Sequence, residues 1–440
     1  MVGDQTAVPL SLGAKEPIAG GSLLPPVAFP ASERSRASLH FFPAGLRRKT
    51  QRDRCVALAA SIAWLASACA PPPSPDNVSP DRVAELRAQA HDEQERGDVA
   101  AAIATLQQAV QVAPRDVDAW IELGQALDAS EDRQGAIRCY ESAIRANPDR
   151  YEPHLNLAIA LMRQGVTGRA QSELDEAVSA APANPLVHWN YGAALAQVGK
   201  FAPARLHLEQ ALRLDPGFGP AAAELGRIEA LAGESGPALA HFARADSLGV
   251  VTPTFRANFG AALLQSGRPA EAAVQLRQAI AADSTHAGVW NHLGVAELRN
   301  GRPEEAERAF SSARRLGPKD EDVRFNLASL YVQQQRWDAA IAVLEQPRPQ
   351  RANLLALLGL ALRGAGRREA ALQCLAEAAA GTPRDPNILN NYGVLLAESG
   401  DTARALEVWR AVLDLDPANR IARENLTARG QNPDEPARKE

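Results

Sequence analysis

Asparagine returns in this chain at a fixed interval. Asn156, Asn190, Asn258, Asn326 and Asn391 occupy one place of a 34-residue repeat, with Glu224, His292 and Leu357 at the same place between them. A carboxamide carries a donor and an acceptor together, so a row of asparagines can pair with the N–H and C=O groups of an extended polypeptide whatever its side chains. Trp189 and Phe325 stand one residue before Asn190 and Asn326 and offer apolar surface to the same guest. Catalytic chemistry finds no comparable row. His207 and His241 share a place in adjacent repeats, but no Cys or carboxylate pattern completes a metal site around them. Cys139 and Cys374 are seven repeats apart, too far for a disulfide within one array, and read as small packing residues. The sequence holds no HExxH, GxSxG or P-loop and no GxGxxG in a strand–turn–helix setting, so it predicts no enzyme, no metal and no cofactor.

Such a row needs a support that repeats with it. Val117–Arg150 shows the unit, with Trp120, Leu123, Gly124, Ala136, Tyr140, Ala143 and Pro148 at places 4, 7, 8, 20, 24, 27 and 32. Large apolar residues at helical spacing, with small ones where two helices touch, predict an antiparallel helix pair, A and B. The frame starts ten times, at Val83, Val117, Tyr151, Pro185, Gly219, Pro253, Ala287, Glu321, Ala352 and Pro386. Place 20 is alanine in all ten units and place 8 is always Gly or Ala. Place 15, in the A–B turn, is glycine in eight and fails only at Glu131 and Gln335. A residue with positive φ is expected there.

This pattern is identified as that of the tetratricopeptide repeat, over Val83–Asn419. The resemblance implies an all-α fold, a right-handed superhelical solenoid of ten helix-turn-helix repeats, in which place 6 of helix A faces a concave groove. The asparagine row is similar to the ladder in the repeat arrays of O-GlcNAc transferases, where it holds substrate polypeptide. Only the groove carries over, because no glycosyltransferase domain is read here. Asparagine before Leu-Gly is also common in the repeat consensus, where solubility alone can account for it. Leu155, Met162, Leu264, Leu298 and Val332 add either apolar groove surface or second-row packing. Charges beside them are mixed: Glu122, Asp128, Glu152, Arg163, Arg227, Arg299, Asp322 and Arg363. The lysines with which other such arrays clamp a C-terminal carboxylate are missing from the groove. The array's only lysines, Lys200 and Lys319, lie at places 16 and 33.

The ends read differently. Residues 1–45 are rich in Pro, Ser and Gly and lack periodicity, and are expected to be disordered or to lie upstream of the true start. Methionine occurs only at 1 and 162, so a start at a codon read here as Val or Leu is expected, with Leu46 a candidate. Residues 46–68 join a basic patch (Arg47, Arg48, Lys49, Arg52, Arg54) to the apolar run Cys55–Ala68, too short to span a bilayer, and read as a secretory signal. Ala66-Ser67-Ala68-Cys69 resembles the bacterial lipobox, although leucine is commoner where Ala66 stands. That resemblance implies cleavage before Cys69 and its lipidation. With Ala70 in place of an inner-membrane-retaining aspartate, it further implies an outer-membrane lipoprotein facing the periplasm. Residues 69–82 would then be a proline-rich tether, with Ser79 and Pro80 opening the first helix. The alternative is an Ala-rich helix in the tail of a cytoplasmic protein.

Removing Met1–Ala68, with 8 basic and 4 acidic residues, takes the net charge from −5 to −9, which argues against nucleic acid as a partner. The eighth unit is three residues short and puts Pro347 inside helix B, so a break in regularity is expected there. Residues 420–430 predict a capping helix and 431–440 a disordered tail. The function expected is a lipid-anchored periplasmic scaffold that binds extended protein segments, in envelope assembly or secretion. The alternatives are a cytoplasmic adaptor, or the substrate-recruiting subunit of a separate enzyme such as a glycosyltransferase.

Overall fold

Helix A of the second unit starts where its sequence permits a start. Asp116 accepts the N–H of Ala119 at 2.7 Å, capping the first turn, and the helix then runs Val117–Ala129 before the chain reverses at Glu131. The same device recurs at Asp98, Asp132, Asn184, Thr252, Asp320, Asp385, Asp401 and Asn419. The structure is a computed structural model that describes residues 80–381 and 385–433, in which there are 21 helices and no strand.

The described helices fall into two compact units, divided after Val250. The N-terminal unit holds five hairpins: α1 (Pro80–Glu95) with α2 (Val99–Val112), α3 (Val117–Ala129) with α4 (Arg133–Ala146), α5 (Tyr151–Arg163) with α6 (Thr167–Ala180), α7 (Pro185–Gln197) with α8 (Phe201–Leu214), and α9 (Gly219–Leu231) with α10 (Ser235–Ser247). The C-terminal unit holds α11 (Pro253–Gln265) with α12 (Pro269–Ala282), α13 (Ala287–Arg299) with α14 (Pro303–Leu316), α15 (Glu321–Gln333) with α16 (Trp337–Leu344), α17 (Ala352–Gly364) with α18 (Arg368–Ala379), and α19 (Pro386–Glu398) with α20 (Thr402–Leu415). In both units each hairpin packs on the next, so the architecture is a stack of helix-turn-helix repeats.

Two kinds of contact hold each hairpin. The place-20 alanines are at most 1 % exposed. Opposite them, the side chain at place 24 lies on the Gly or Ala at place 8. A Cβ added to Gly124 would sit 2.5 Å from the Tyr140 ring, and one on Gly192 2.6 Å from Leu208. Phe242, Phe310 and Trp409 meet Gly226, Gly294 and Gly393 in the same way and are fully buried. Each such aromatic contributes roughly 2–3 kcal/mol by its burial. All ten place-15 residues have positive φ, including Glu131 at 70° and Gln335 at 57°, which adopt it despite a Cβ.

The eighth unit differs from its neighbours for a visible reason. Its helix B, α16, has eight residues and stops before Pro347. The buried Arg324 of α15 takes over the carbonyls this leaves unpaired: Nε donates to Val343 O at 3.1 Å, and Nη2 to Leu344 O at 2.5 Å and to Pro347 O. Stacking continues through the short helix, since α16 still packs on α17. At the far end α21 (Arg420–Thr427) buries Ala422 and Leu426 against α20 and closes the C-terminal unit. The expected signal, Cys69 and the tether as far as residue 79 lie outside the described residues.

Candidate functional site

The asparagine row can act as one surface only if successive A helices keep the same rotation. A recurring hydrogen bond fixes that rotation. Trp120 Nε1 donates to Pro114 O at 2.9 Å, His154 Nε2 to Pro148 O at 3.1 Å, His188 Nε2 to Pro182 O at 2.9 Å and Trp290 Nε1 to Ser284 O at 2.9 Å. In each case place 4 of one unit holds the end of the unit before it. How near the rows then come is seen in the C-terminal unit, where Asn326 Nδ2 of α15 donates to Asn291 Oδ1 of α13 at 2.9 Å.

All of the mixed charges on this surface but Arg299 are paired with an opposite charge. Glu122 of α3 accepts Arg87 of α1 at 2.6 Å, Asp128 of α3 pairs with Arg163 of α5, and Glu152 pairs with Arg150, which also reaches Asp118 at 2.9 Å. In α9 Glu224 and Arg227 form a buried pair; burial pushes the Glu224 carboxyl up, opposed by its bond to Arg227. In the C-terminal unit Arg299 donates to Leu264 O at 2.8 Å, Asp322 pairs with Arg351 at 2.7 Å, and Arg363 pairs with Glu398. Each charged residue read into the groove thus has a partner within its own unit. The signal was present in the sequence as opposite charges 35 residues apart: Arg87 with Glu122, Asp128 with Arg163, Arg363 with Glu398.

Against that neutral background the amides stand out. In the N-terminal unit Asn156 and Asn190 are buried at the same place of α5 and α7. Asn190 Nδ2 donates to Leu186 O of its own helix at 2.9 Å, while its Oδ1 and the Nδ2 of Asn156 are buried without a hydrogen-bond partner. Gln125 Nε2 of α3 is a third such atom. Trp189 is buried beside Asn190 and meets Phe218 edge-on at 5.9 Å between ring centroids. In the C-terminal unit Asn258 is buried, whereas His292, Phe325, Asn326 and Asn391 are partly accessible. Burial holds the His292 imidazole below the usual histidine range. Ser329 Oγ on α15 and Asn390 Oδ1 on α19 are buried there without partners. Of the apolar residues beside the row, Leu155, Leu264 and Val332 are buried and pack the hairpins, while Met162 and Leu298 keep some exposure.

The reactive side chains go elsewhere. His207 faces not His241 but His188, Nδ1 to Nδ1 at 3.2 Å, and stacks on Tyr191. His188 donates its Nε2–H to Pro182 O, and the two Nδ1 atoms that face each other share one proton between them. Burial and His188 together hold His207 below the usual histidine range. His241 pairs with buried Glu229 at 2.7 Å. The Cys139 thiol is pushed up to about 12 by burial and Cys374 is raised for the same reason, so both stay protonated at neutral pH. Among the described residues no three His, Cys, Asp or Glu side chains are grouped to hold a metal, and no described helix is long and apolar enough to cross a membrane.

Comparison with known proteins gives the repeat its name. Sequence models described as "Tetratricopeptide repeat" match residues 87–150, 129–198, 258–321, 297–361 and 357–420, together more than half of the 440 residues. No curated protein matches significantly. Similar solved structures include a tetratricopeptide repeat protein from Parabacteroides merdae, 18% identical, covering 57% of this chain and 98% of that one at a TM-score of 0.44. PilF of Pseudomonas aeruginosa is 22% identical, covering 49% and 97% at 0.42. YrrB, described as having an unusual peptide-binding site, is 23% identical, covering 42% and 95% at 0.35.

Proposed function

The chain belongs to the tetratricopeptide-repeat family, and from that premise we propose that it binds polypeptide in extended conformation along its row of A-helix amides. Proteins built of this repeat are scaffolds for protein–protein contacts, so the coarse function follows from the family; the row, the guest's conformation and the compartment are our reading. One observation carries it. Asn156 Nδ2 and Asn190 Oδ1, at equivalent places of α5 and α7, are buried without a hydrogen-bond partner among the described residues. A buried polar group left so costs about 1–3 kcal/mol. Turned outward from that burial, the first amide can donate to a carbonyl and the second can accept an N–H of a strand laid across the two helices, and because both are main-chain groups the guest's side chains stay free to vary. The self-neutralised charges around them favour an uncharged backbone over an acidic or basic ligand.

The test is capture of an extended-peptide library by the full chain and by a variant carrying Ala at Asn156, Asn190, Asn258, Asn326 and Asn391. Affinity is expected to fall by about tenfold or more, as the loss of a few backbone pairs requires, with helicity unchanged and capture measured well below the melting point of both proteins, since losing the Asn326–Asn291 bond lowers it. Equal capture by the two proteins would end the proposal.

We further propose that the chain is cleaved before Cys69, lipidated there, and held at the outer membrane facing the periplasm, where it serves envelope assembly or secretion. The support is the sequence from the basic patch at Arg47 to Cys69, and Pro71-Pro72-Pro73 after it as a spacer. On this reading the chain is a scaffold and not a catalyst. Intact mass of the protein from its native host should give a mature chain starting at acylated Cys69, lost in Cys69→Ser. An unmodified chain starting before Cys55 would instead make it a cytoplasmic adaptor. A co-purifying catalytic chain would make it the recruiting subunit of a separate enzyme.

A further inference from the structure

Among the described residues, a cleft whose lining is charged but unneutralised lies away from the amide row. It is an open cleft of about 480 Å³ between Pro114 and Arg115, in the turn before α3, Trp120 of α3, and Ser142, Arg145 and Ala146 of α4. None of these residues stands at a place that carries the asparagines or their neighbours. The volume is in the range of small-ligand sites, roughly 300–1,000 Å³.

What marks the cleft is its charge. Arg115 and Arg145 are both exposed, and neither is in an ion pair among the described residues. Arg145 has a hydroxyl for company: its Nη2 donates to Ser142 Oγ at 2.6 Å, and that hydroxyl donates in turn to Arg138 O at 2.8 Å. The carboxylates within two residues of the lining are committed to other work. Asp116 caps α3, Asp118 accepts Arg150 at 2.9 Å, and Glu141 accepts Arg169 at 2.7 Å. Most other arginines described above have an acid or a carbonyl; here two guanidiniums line the same cavity with neither. Beside them the Trp120 indole is held by its Nε1 bond to Pro114 O, which leaves its ring as a fixed, partly accessible wall.

We propose that this cleft binds a small ring-bearing oxyanion, a sugar carrying a phosphate or a carboxylate group. The two guanidiniums pair with the oxyanion through their forked donors, and the apolar face of the ring lies on Trp120. The site is independent of the amide row, so a chain with no peptide capture can still have it.

Calorimetric titration of the full chain with glucose 6-phosphate, glucuronate, glucose and inorganic phosphate tests this. One or both charged sugars should bind saturably, weakening as salt is raised, while neutral glucose does not bind. Preference for glucose 6-phosphate identifies a phosphoryl source and preference for glucuronate a carboxyl source. Arg115→Gln and Arg145→Gln should each weaken binding about tenfold, the loss of one charge-assisted pair, with melting unchanged; Arg133→Gln, on the same hairpin but outside the cleft, should not. Absence of saturable binding by either charged sugar, or binding that survives the double substitution at Arg115 and Arg145, would overturn the proposal. Inorganic phosphate binding as tightly as the sugar phosphate would overturn it too, by removing the role of Trp120.

Discussion

Arg324→Met is expected to destabilise the C-terminal unit by about 3 kcal/mol, within the range for stripping two buried carbonyls of their donor at roughly 1–3 kcal/mol each. The substitution keeps most of the side-chain volume, so the loss is one of hydrogen bonds rather than packing. Val343 O and Leu344 O, the last carbonyls of α16, would face a thioether. Some of that cost is returned. Arg324 is a buried cation that no carboxylate pairs among the described residues, and burial already pulls its pKa down; removing the charge relieves its desolvation. Arg324→Lys, which keeps a donor but not the fork, should fall between the two proteins. Urea unfolding followed by circular dichroism reads the difference directly. If Arg324→Met melts with the wild type, the end of α16 is satisfied some other way and our account of the short unit fails.

Gly294→Leu should cost about as much for the opposite reason. Place 8 of α13 lies against the Phe310 ring, and even a Cβ there would overlap it. Phe310 is fully buried and cannot swing outward, so the helices must part, and overpacking of this kind costs about 1–3 kcal/mol and occasionally more. The control is on the same helix. A Cβ at Gly288 meets nothing within 4 Å, so Gly288→Ala should be neutral or stabilise by up to about 1 kcal/mol through helix propensity. Equal melting of Gly294→Leu and Gly288→Ala would show that the A–B contact is not where the repeat frame places it.

The parts of the molecule open to reading from sequence are those in which one residue answers to one local constraint. Alanine at place 20 and Gly or Ala at place 8 say that two helices touch. Nine A helices begin at the first residue of a frame unit, from Val117 to Pro386. Glu131 and Gln335 break the glycine pattern of the turn yet keep its positive φ, because the helices on either side leave the chain no other way to reverse. Pairwise relations were harder to see. Asp128 and Arg163 each look like a loose groove charge until they are set 35 residues apart on adjacent A helices. Arg324 carries no such signal, because nothing in its own helix calls for a cation; the need arises from three residues missing some twenty positions later in the same unit. The asparagines show the limit from the other side. Their common place is plain in the sequence, but the burial of Asn156 and Asn190 and the pairing of Asn326 with Asn291 depend on neighbours.

The central claim, that the A-helix face receives extended polypeptide, is tested most directly by site-specific photo-crosslinking in the native host. A photoreactive residue at Phe325, partly accessible beside Asn326, is compared with one at Arg308, exposed on helix B of the preceding repeat. Crosslinks to protein from position 325 alone, suppressed when the five asparagines are alanine, are the result our account predicts. Equal crosslinking from both positions, or none from 325 while 308 reacts, would contradict it.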